Sequence, residues 1–452
     1  MLKLTHHLSF ILLFIRISVI AAEGNSSHYQ ISSIINDTYN LYDTNLRYIT
    51  KKIHEYRETA YNEYQSAKLL ADFLEKEGFL VERGIANRTT AFVATYESGD
   101  SVNTSTSGRI VSFNSEYDAL PVLGHACGHN LIAIAGLGAA LAVKAYLNET
   151  KCNGTVKLFG TPAEETGGGK IDLVNHGYYK TVDMNIMVHP TQKHGGAFVP
   201  YLALQGFEVE YFGKAAHAAG SPWAGKNALD ALLTAFNSLN ALRQQLHPSF
   251  RLHGIILNGG TAANIIPDYT RGEFVIRAPT VEQLQNDLKP RVVACFEAAA
   301  IATGCQVKIT KKSAYNDVKQ NAVLGNRYEL YSVVQGTLLP SKQEQSLFST
   351  GSTDQGYVSY AVPSIHADYR ILTENNQGPH TKEFELATIS EKAYLETIKA
   401  SKALAATAID FLEDDVFAKN VIDDFSHLIL ILRQLPHNSA FIFSCVHFYW
   451  NK

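Results

Sequence analysis

Two short stretches of this chain crowd metal-ligating and proton-transferring side chains into loops. The first is Gly124-His125-Ala126-Cys127-Gly128-His129-Asn130, where a thiol and two imidazoles fall within five positions. The second is Thr161-Pro162-Ala163-Glu164-Glu165, followed by the glycine run Gly167-Gly168-Gly169. Adjacent carboxylates cannot face one way on a helix or strand. In a loop they can serve one site, one binding metal while the other takes a proton from metal-bound water. His189-Pro190 and Gly378-Pro379-His380-Thr381 add two more imidazoles. Each residue alone has a plainer reading: Cys127 as a small buried hydrophobe, His189 and His380 as core or surface histidines, the glutamates as a solvated acidic pair. Together, Cys127, His129, Glu165, His189 and His380 are five ligand-capable residues, each at a loop beside a strand or helix. That is more than one zinc ion usually takes from protein, and it suits two ions sharing a bridge.

The elements that must position them are legible too. Ile110 to Phe113 reads as a strand ending at Asn114-Ser115-Glu116-Tyr117-Asp118-Ala119-Leu120-Pro121, and Leu131 to Val143 as a buried helix of small apolar residues. Val156 to Gly160 is a strand, Ile171 to His176 a helix, and Asn185 to Val188 a strand. This alternation predicts an α/β fold with a mostly parallel sheet, its site loops at strand ends. Upstream, Asn45 to Gly78 has helical periodicity, and the polar stretch Asn25 to Asp43 reads as a loose lead-in. Phe79 to Val81 and Ala91 to Tyr96 are β-type runs, and Ser98 to Gly108 a surface loop. Near Leu204 the pattern changes. The order strand, helix, strand, strand, helix, strand over 204–312 is that of a ferredoxin-like α+β unit with no ligand cluster of its own. It reads as a second domain inserted between the two parts of the first, 45–203 and 313–415. In the second part Ser349 to Asp354 is a polar loop, Pro363 to His366 closes a strand, and Ser390 to Phe411 is a helix. The stretch 424–452 matches nothing before it. Its apolar runs, Leu428 to Leu432 and Ala440 to Tyr449, are too short to span a bilayer. It reads as a non-native end, a loosely packed extension or a membrane contact.

Composition narrows the class. With 46% hydrophobic and 18% charged residues in 452, the chain can bury two or three domains. A net charge of -4, from 39 basic and 43 acidic residues, gives no nucleic-acid signal. Five scattered cysteines do not make a disulfide scaffold. Residues 1–22 resemble a signal peptide, although Arg16 interrupts the apolar run; a membrane anchor or a misassigned start are the alternatives. Sequons at Asn25, Asn36, Asn87, Asn103, Asn148 and Asn153 add mild support for a secretory route. The expectation is a secreted or lumenal protein with no stable membrane span, or a cytoplasmic one if the start is wrong.

In this order, Glu116 to Pro121, His125 to His129, Gly160 to Glu165, Met187-Val188-His189, Gly213-Lys214-Ala215-Ala216-His217-Ala218-Ala219 and Pro379-His380-Thr381 resemble the aminoacylase/carboxypeptidase family of two-metal peptidases. The resemblance runs from about Ile53 to Phe411. Within the family it is similar to the amidohydrolase branch of auxin-conjugate hydrolases and β-alanyl-lysine-type dipeptidases; Tyr117 and Gly351-Ser352-Thr353-Asp354 tilt it to the dipeptidase side. The resemblance implies two divalent ions, Zn or Mn, held by Cys127, His129, Glu165, His189 and His380. It makes Glu164 the general base and sets Asp118 behind the metals as an orienting residue. His125 stays a loop or supporting residue. The inserted unit becomes a lid and dimerisation module through which the chain forms a homodimer. Its His217 would reach the partner's site and stabilise the oxyanion, and Asn264 would face substrate. Arg277 is a candidate contact for a substrate carboxylate, a solvated strand arginine being the plainer reading. The expected activity is metal-dependent amide hydrolysis of dipeptides or N-acyl amino acids. A β-alanyl-lysine-type dipeptidase is favoured. An N-acyl-amino-acid or auxin-conjugate amidohydrolase, or an inactive metal-free scaffold, are the alternatives.

Overall fold

A long helix opens the fold where a loose lead-in was expected. The computed structural model describes residues 26–98, 108–348 and 351–434; the signal-like segment 1–22, most of the loop 98–108 and residues 435–452 lie outside the described residues. Helix α1 (Ser26–Tyr56) buries Ile31, Ile34, Ile35, Tyr39, Leu46, Ile49 and Ile53, a three-and-four spacing that makes one apolar stripe. Exposed Asn36, Asp37 and Asn40 lie between them and disguise the pattern in the sequence. The single helix expected over 45–78 is broken. Arg57 (φ 50°) and Tyr61 (φ 59°) turn the chain before α2 (Tyr64–Lys76). Glu58 makes the break possible: its carboxylate accepts the Gln65 and Ser66 amides at 2.8 and 2.9 Å, satisfying free N–H groups at the start of α2.

The larger sheet is built from β1 (Leu80–Arg83), β2 (Phe92–Ser98), β3 (Arg109–Glu116), β4 (Gly154–Thr161), β5 (Met184–Thr191) and β10 (Ser364–Arg370), in the order β1-β2-β4-β3-β5-β10. β4, β3, β5 and β10 run parallel, and β2 and β1 extend them antiparallel. Helix α3 (His129–Thr150) lies on this sheet between α1 and the late helix over Glu391–Glu413. Gly136 permits the close approach, since a Cβ there would stand 2.6 Å from Ser115 Oγ. Among the described residues α3 alone is long and apolar enough to cross a membrane, and its apolar window is 89% buried in the core. Short α4 (Gly169–Asn175) follows β4.

Between β5 and β10 the chain leaves to build the second sheet. β6 (Ala203–Phe212), α5 (Ala228–Leu242), β7 (Arg251–Asn258), β8 (Tyr269–Ala278), α6 (Lys289–Thr303, led in by a π-turn at Leu284–Leu288) and β9 (Gln306–Tyr315) form an antiparallel sheet in the order β7-β8-β6-β9. Its core joins Phe207, Leu232, Phe274 and Phe296. The chain then returns through α7 (Ala322–Val334), α8 (Lys342–Ser346) and α9 (Gln355–Ala361) to β10, and ends in α10 (Lys382–Ala387), α11 (Glu391–Glu413) and α12 (Asp415–Gln434).

Two further expectations are corrected. Pro363 to His366 opens a strand and does not close one. Pro363 has no N–H for the ladder and stands just before β10, where its carbonyl accepts the Asn185 amide at 3.0 Å. The stretch from Asp424 is not loose as far as it is described. Phe417, Val421, Phe425 and Ile429 recur every fourth residue and are buried along α12. Asp424 accepts the Ala322 amide at 3.0 Å, and Asn321 Nδ2 donates to the Val421 carbonyl at 2.9 Å.

Candidate metal centre and active site

The ligand-type residues converge where the parallel strands end, the usual place for a site in an open α/β sheet. Cys127 and His129 flank Gly128, which has φ 82° and caps α3. A Cβ at Gly128 would also stand 2.5 Å from Pro190 Cγ, so only glycine fits between the two ligands. Cys127 Sγ lies 3.4 Å from His189 Nε2, near the end of β5. His129 Nδ1 donates to Asp118 Oδ1 at 2.9 Å, and His189 Nδ1 donates to the Pro190 carbonyl at 2.9 Å. Both rings therefore carry the proton on Nδ1 and turn an Nε2 lone pair inward, the tautomer a metal needs. Asp118 Oδ2 accepts the Glu165 amide at 3.0 Å, so one carboxylate positions two candidate ligands. Glu165 Oε1 lies 3.4 Å from His380 Nε2 and 3.9 Å from His129 Nε2.

Three overlapping groups hold their ligand atoms within 4.8 Å of one another: Cys127, His129 and His189; Cys127, Glu165 and His380; His129, Glu164 and Glu165. Buried His129 Nε2, Glu165 Oε1 and Glu116 Oε2 have no ordinary hydrogen bond. Orphaned buried atoms of this kind are costly unless something fills the space between them. One thiol, three imidazoles and carboxylates make a mixed donor set that fits divalent transition-metal ions.

The Glu164-Glu165 loop is held from three sides. Ala163 takes φ 61°, and its amide donates to Glu63 Oε1 at 2.9 Å. The Tyr315 hydroxyl donates to the Glu164 carbonyl at 2.6 Å. Lys170, at the start of α4, is fully buried with its ammonium between Asp354 and Glu116, 2.6 Å from Glu116 Oε1. Burial and the charges of Glu116, Glu165 and Asp354 push the Glu164 carboxyl well above the ordinary range, which makes it a strong proton acceptor. Burial would raise Glu116 too, but the Lys170 ammonium beside it holds it down to about 2.

Above the cluster opens a cavity of about 640 Å³ lined by Cys127, Glu164, Glu165, His189, His380 and Arg277 among others. Arg277 Nη1 donates to Ser352 Oγ at 2.8 Å. His217 and Asn264 do not line it. They sit side by side on an exposed part of the second sheet's domain, where the Ala218 amide donates to the Asn264 carbonyl at 3.0 Å. His217 Nδ1 accepts the Ala219 and Gly220 amides at 3.2 and 3.0 Å, so its proton is on Nε2 and points away from its own backbone. His125 stays off the cluster, its Nε2 2.9 Å from the Ile53 carbonyl. Sequence reasoning missed Glu63, Lys170, Asp354, Tyr315 and Asp368. The one available signal was Lys170, a lysine directly after three glycines and just ahead of the expected helix over Ile171 to His176.

Residues 203–302 match the peptidase dimerisation domain of M20 peptidases. A Xaa-Arg dipeptidase of Mus musculus is 43% identical over 318 residues, 70% of this chain and 73% of that protein. One of Homo sapiens is 38% identical over 386 residues, 83% of this chain and 88% of that protein.

The chain belongs to the M20 peptidase family. Its fold is shared with a dinuclear metal-binding M20 peptidase of Bacillus subtilis at TM-score 0.60 and 18% identity, covering 83% of this chain and 99% of that one. This M20 peptidase is a metal-dependent hydrolase of the dipeptidase and amidohydrolase type, with a mixed α/β catalytic domain and a separate dimerisation domain.

Proposed function

We propose that this M20 peptidase is a dipeptidase of the β-alanyl-lysine type that uses two divalent ions, Zn or Mn. The observation that carries this reading is the convergence of ligand atoms from Cys127, His129, Glu165, His189 and His380, with those of His129 and Glu165 orphaned, around the raised carboxyl of Glu164. The dipeptidase names of the mouse and human relatives support the substrate class. When bound, the ions supply Lewis acidity that polarises the scissile carbonyl and acidifies a water.

The chain's own residues do the rest. Asp118 and the Pro190 carbonyl orient His129 and His189. Glu164 takes the proton of the attacking water and returns it to the leaving amine. Arg277, steadied by Ser352, pairs with the substrate carboxylate. His217 cannot serve the cavity of its own chain in this arrangement. Its Nε2–H suits an oxyanion in the partner's site, with Asn264 beside it. Edge strand β7 exposes Ile255, Ile256 and Leu257, at 58%, 42% and 42%, which suits a homodimer joined there. A secretory location remains part of this proposal; Asn36, Asn87, Asn148 and Asn153 are exposed, as glycan acceptors must be.

The test is a hydrolysis screen of β-alanyl dipeptides against N-acetyl amino acids with Zn or Mn added. We expect metal-dependent cleavage that favours the β-alanyl dipeptides. Cleavage of N-acetyl amino acids alone would select the amidohydrolase alternative.

A further inference from the structure

One carboxylate of the cavity has no role in the reaction described above. Asp368 lies on β10 as the register partner of the candidate ligand His189 on β5. Register partners on adjacent parallel strands stand about 5 Å apart and present their side chains to the same face. Asp368 is only 4% exposed, yet it lines the same cavity as Glu164, Glu165 and Arg277. The wall is built around it. A Cβ on Gly195 would meet Asp368 Cβ at 2.2 Å, and the Asp368 amide donates to the Gly196 carbonyl at 3.0 Å. The Tyr201 hydroxyl donates to Oδ1, and the Tyr201 ring stands edge-on to His366 at 4.4 Å. Among the described residues no Lys, Arg or His side chain forms an ion pair with Asp368. A buried carboxylate without a cation is unfavourable.

The rest of the cavity is arranged to match. Arg251 and Arg277 are register partners on β7 and β8, and both line the cavity with His253. The dimerisation-domain wall is therefore cationic, while Asp368 makes the catalytic-sheet wall anionic beside the metal cluster. A dipeptide carries its carboxylate and its ammonium on opposite sides of the scissile amide.

We infer that Asp368 is the subsite for a substrate ammonium group, so that the cavity selects cationic dipeptides over neutral N-acyl amino acids. This rests on the dipeptidase reading. The ammonium is either the amino terminus of the acyl residue or a basic side chain.

The experiment measures kcat/KM of the metal-loaded full chain, wild type and Asp368→Asn, on β-alanyl-lysine, β-alanyl-leucine, N-acetyl-lysine and N-acetyl-leucine. Asn keeps the shape and the Tyr201 bond and removes the charge; Asp368→Ser is the second variant if Asn folds poorly. We expect the ratio of β-alanyl-lysine to N-acetyl-leucine to fall about 10- to 100-fold, mainly through KM, as for a lost charge-assisted hydrogen bond. A parallel fall for β-alanyl-leucine assigns Asp368 to the amino terminus, and one for N-acetyl-lysine assigns it to the side chain. A ratio that stays within twofold in both variants, while wild type still prefers β-alanyl dipeptides, overturns this inference alone. Wild type that cleaves only the N-acetyl substrates overturns the dipeptidase reading and this inference with it.

Discussion

The Lys170 ammonium lies 2.6 Å from Glu116 Oε1, with neither side chain exposed to solvent. The same ammonium contacts Asp354, whose second oxygen accepts the Lys170 amide at 2.9 Å. Three elements therefore meet at one buried charge: the end of β3, the start of α4 just after the Glu164-Glu165 loop, and the loop that carries Ser352. Removing that charge leaves two carboxylates buried and unpaired. We expect Lys170→Met to cost about 3–5 kcal/mol of stability, measured by denaturant unfolding. The triple variant Glu116→Gln, Lys170→Met, Asp354→Asn should recover most of the loss. A cost below about 1 kcal/mol for the single variant would contradict the role of the triad.

The exposure of His217 outside its own cavity leads to a subunit-mixing test. Glu164→Gln and His217→Ala should each be nearly inactive. Mixed and re-equilibrated in equal amounts, they should recover about a quarter of wild-type activity, because half the dimers are mixed and each carries one intact site. Mixed dimers with no recovered activity would show that His217 does not act across the interface.

Glu63 accepts the Tyr61 and Ala163 amides and the Thr90 hydroxyl at the foot of the Glu164 loop. Burial, with the charge of Asp118, raises its carboxyl to about 7. The folded chain therefore keeps a proton that the unfolded chain releases near its ordinary value. The stability this group contributes is complete below the unfolded pKa and is lost as pH rises through about 7. Relative to Glu63→Gln, wild type should lose about 1–3 kcal/mol between acid and neutral pH. A difference that does not change with pH would contradict the shift.

Val122 adopts φ 69° at 96% exposure, on the tight turn between Pro121 and Gly124. A β-branched residue is strained there and buries nothing in return. Val122→Gly should stabilise the chain by about 1 kcal/mol without changing kcat/KM. A lower melting temperature would contradict this.

The parts of the site legible in the sequence are those written as local clusters. Cys127 and His129 share five positions with His125 and are framed by glycines. Glu164 and Glu165 are adjacent, and the apolar runs of β3, β4 and β5 show that these loops lie at strand ends. The second domain was legible from its change of period alone. What stayed hidden depends on burial in three dimensions. Nothing near Glu63, Asp354 or Asp368 in the chain shows that a carboxylate will be enclosed, because the groups that enclose it come from strands and helices far away in sequence. The first half of helix α1 and the packed part of α12 were missed for a related reason. Polar residues on their outer faces outnumber the apolar stripe over short windows, and only the partner surface reveals which face is buried.

The central claim is that Glu164 moves the proton while Cys127, His129, Glu165, His189 and His380 hold the ions. It is tested most directly by measuring metal content and β-alanyl-lysine turnover on one preparation of Glu164→Gln. We expect about two divalent ions per chain, as in wild type, with turnover reduced by about 10²- to 10⁴-fold. Turnover within tenfold of wild type, with the ions in place, would contradict the assignment.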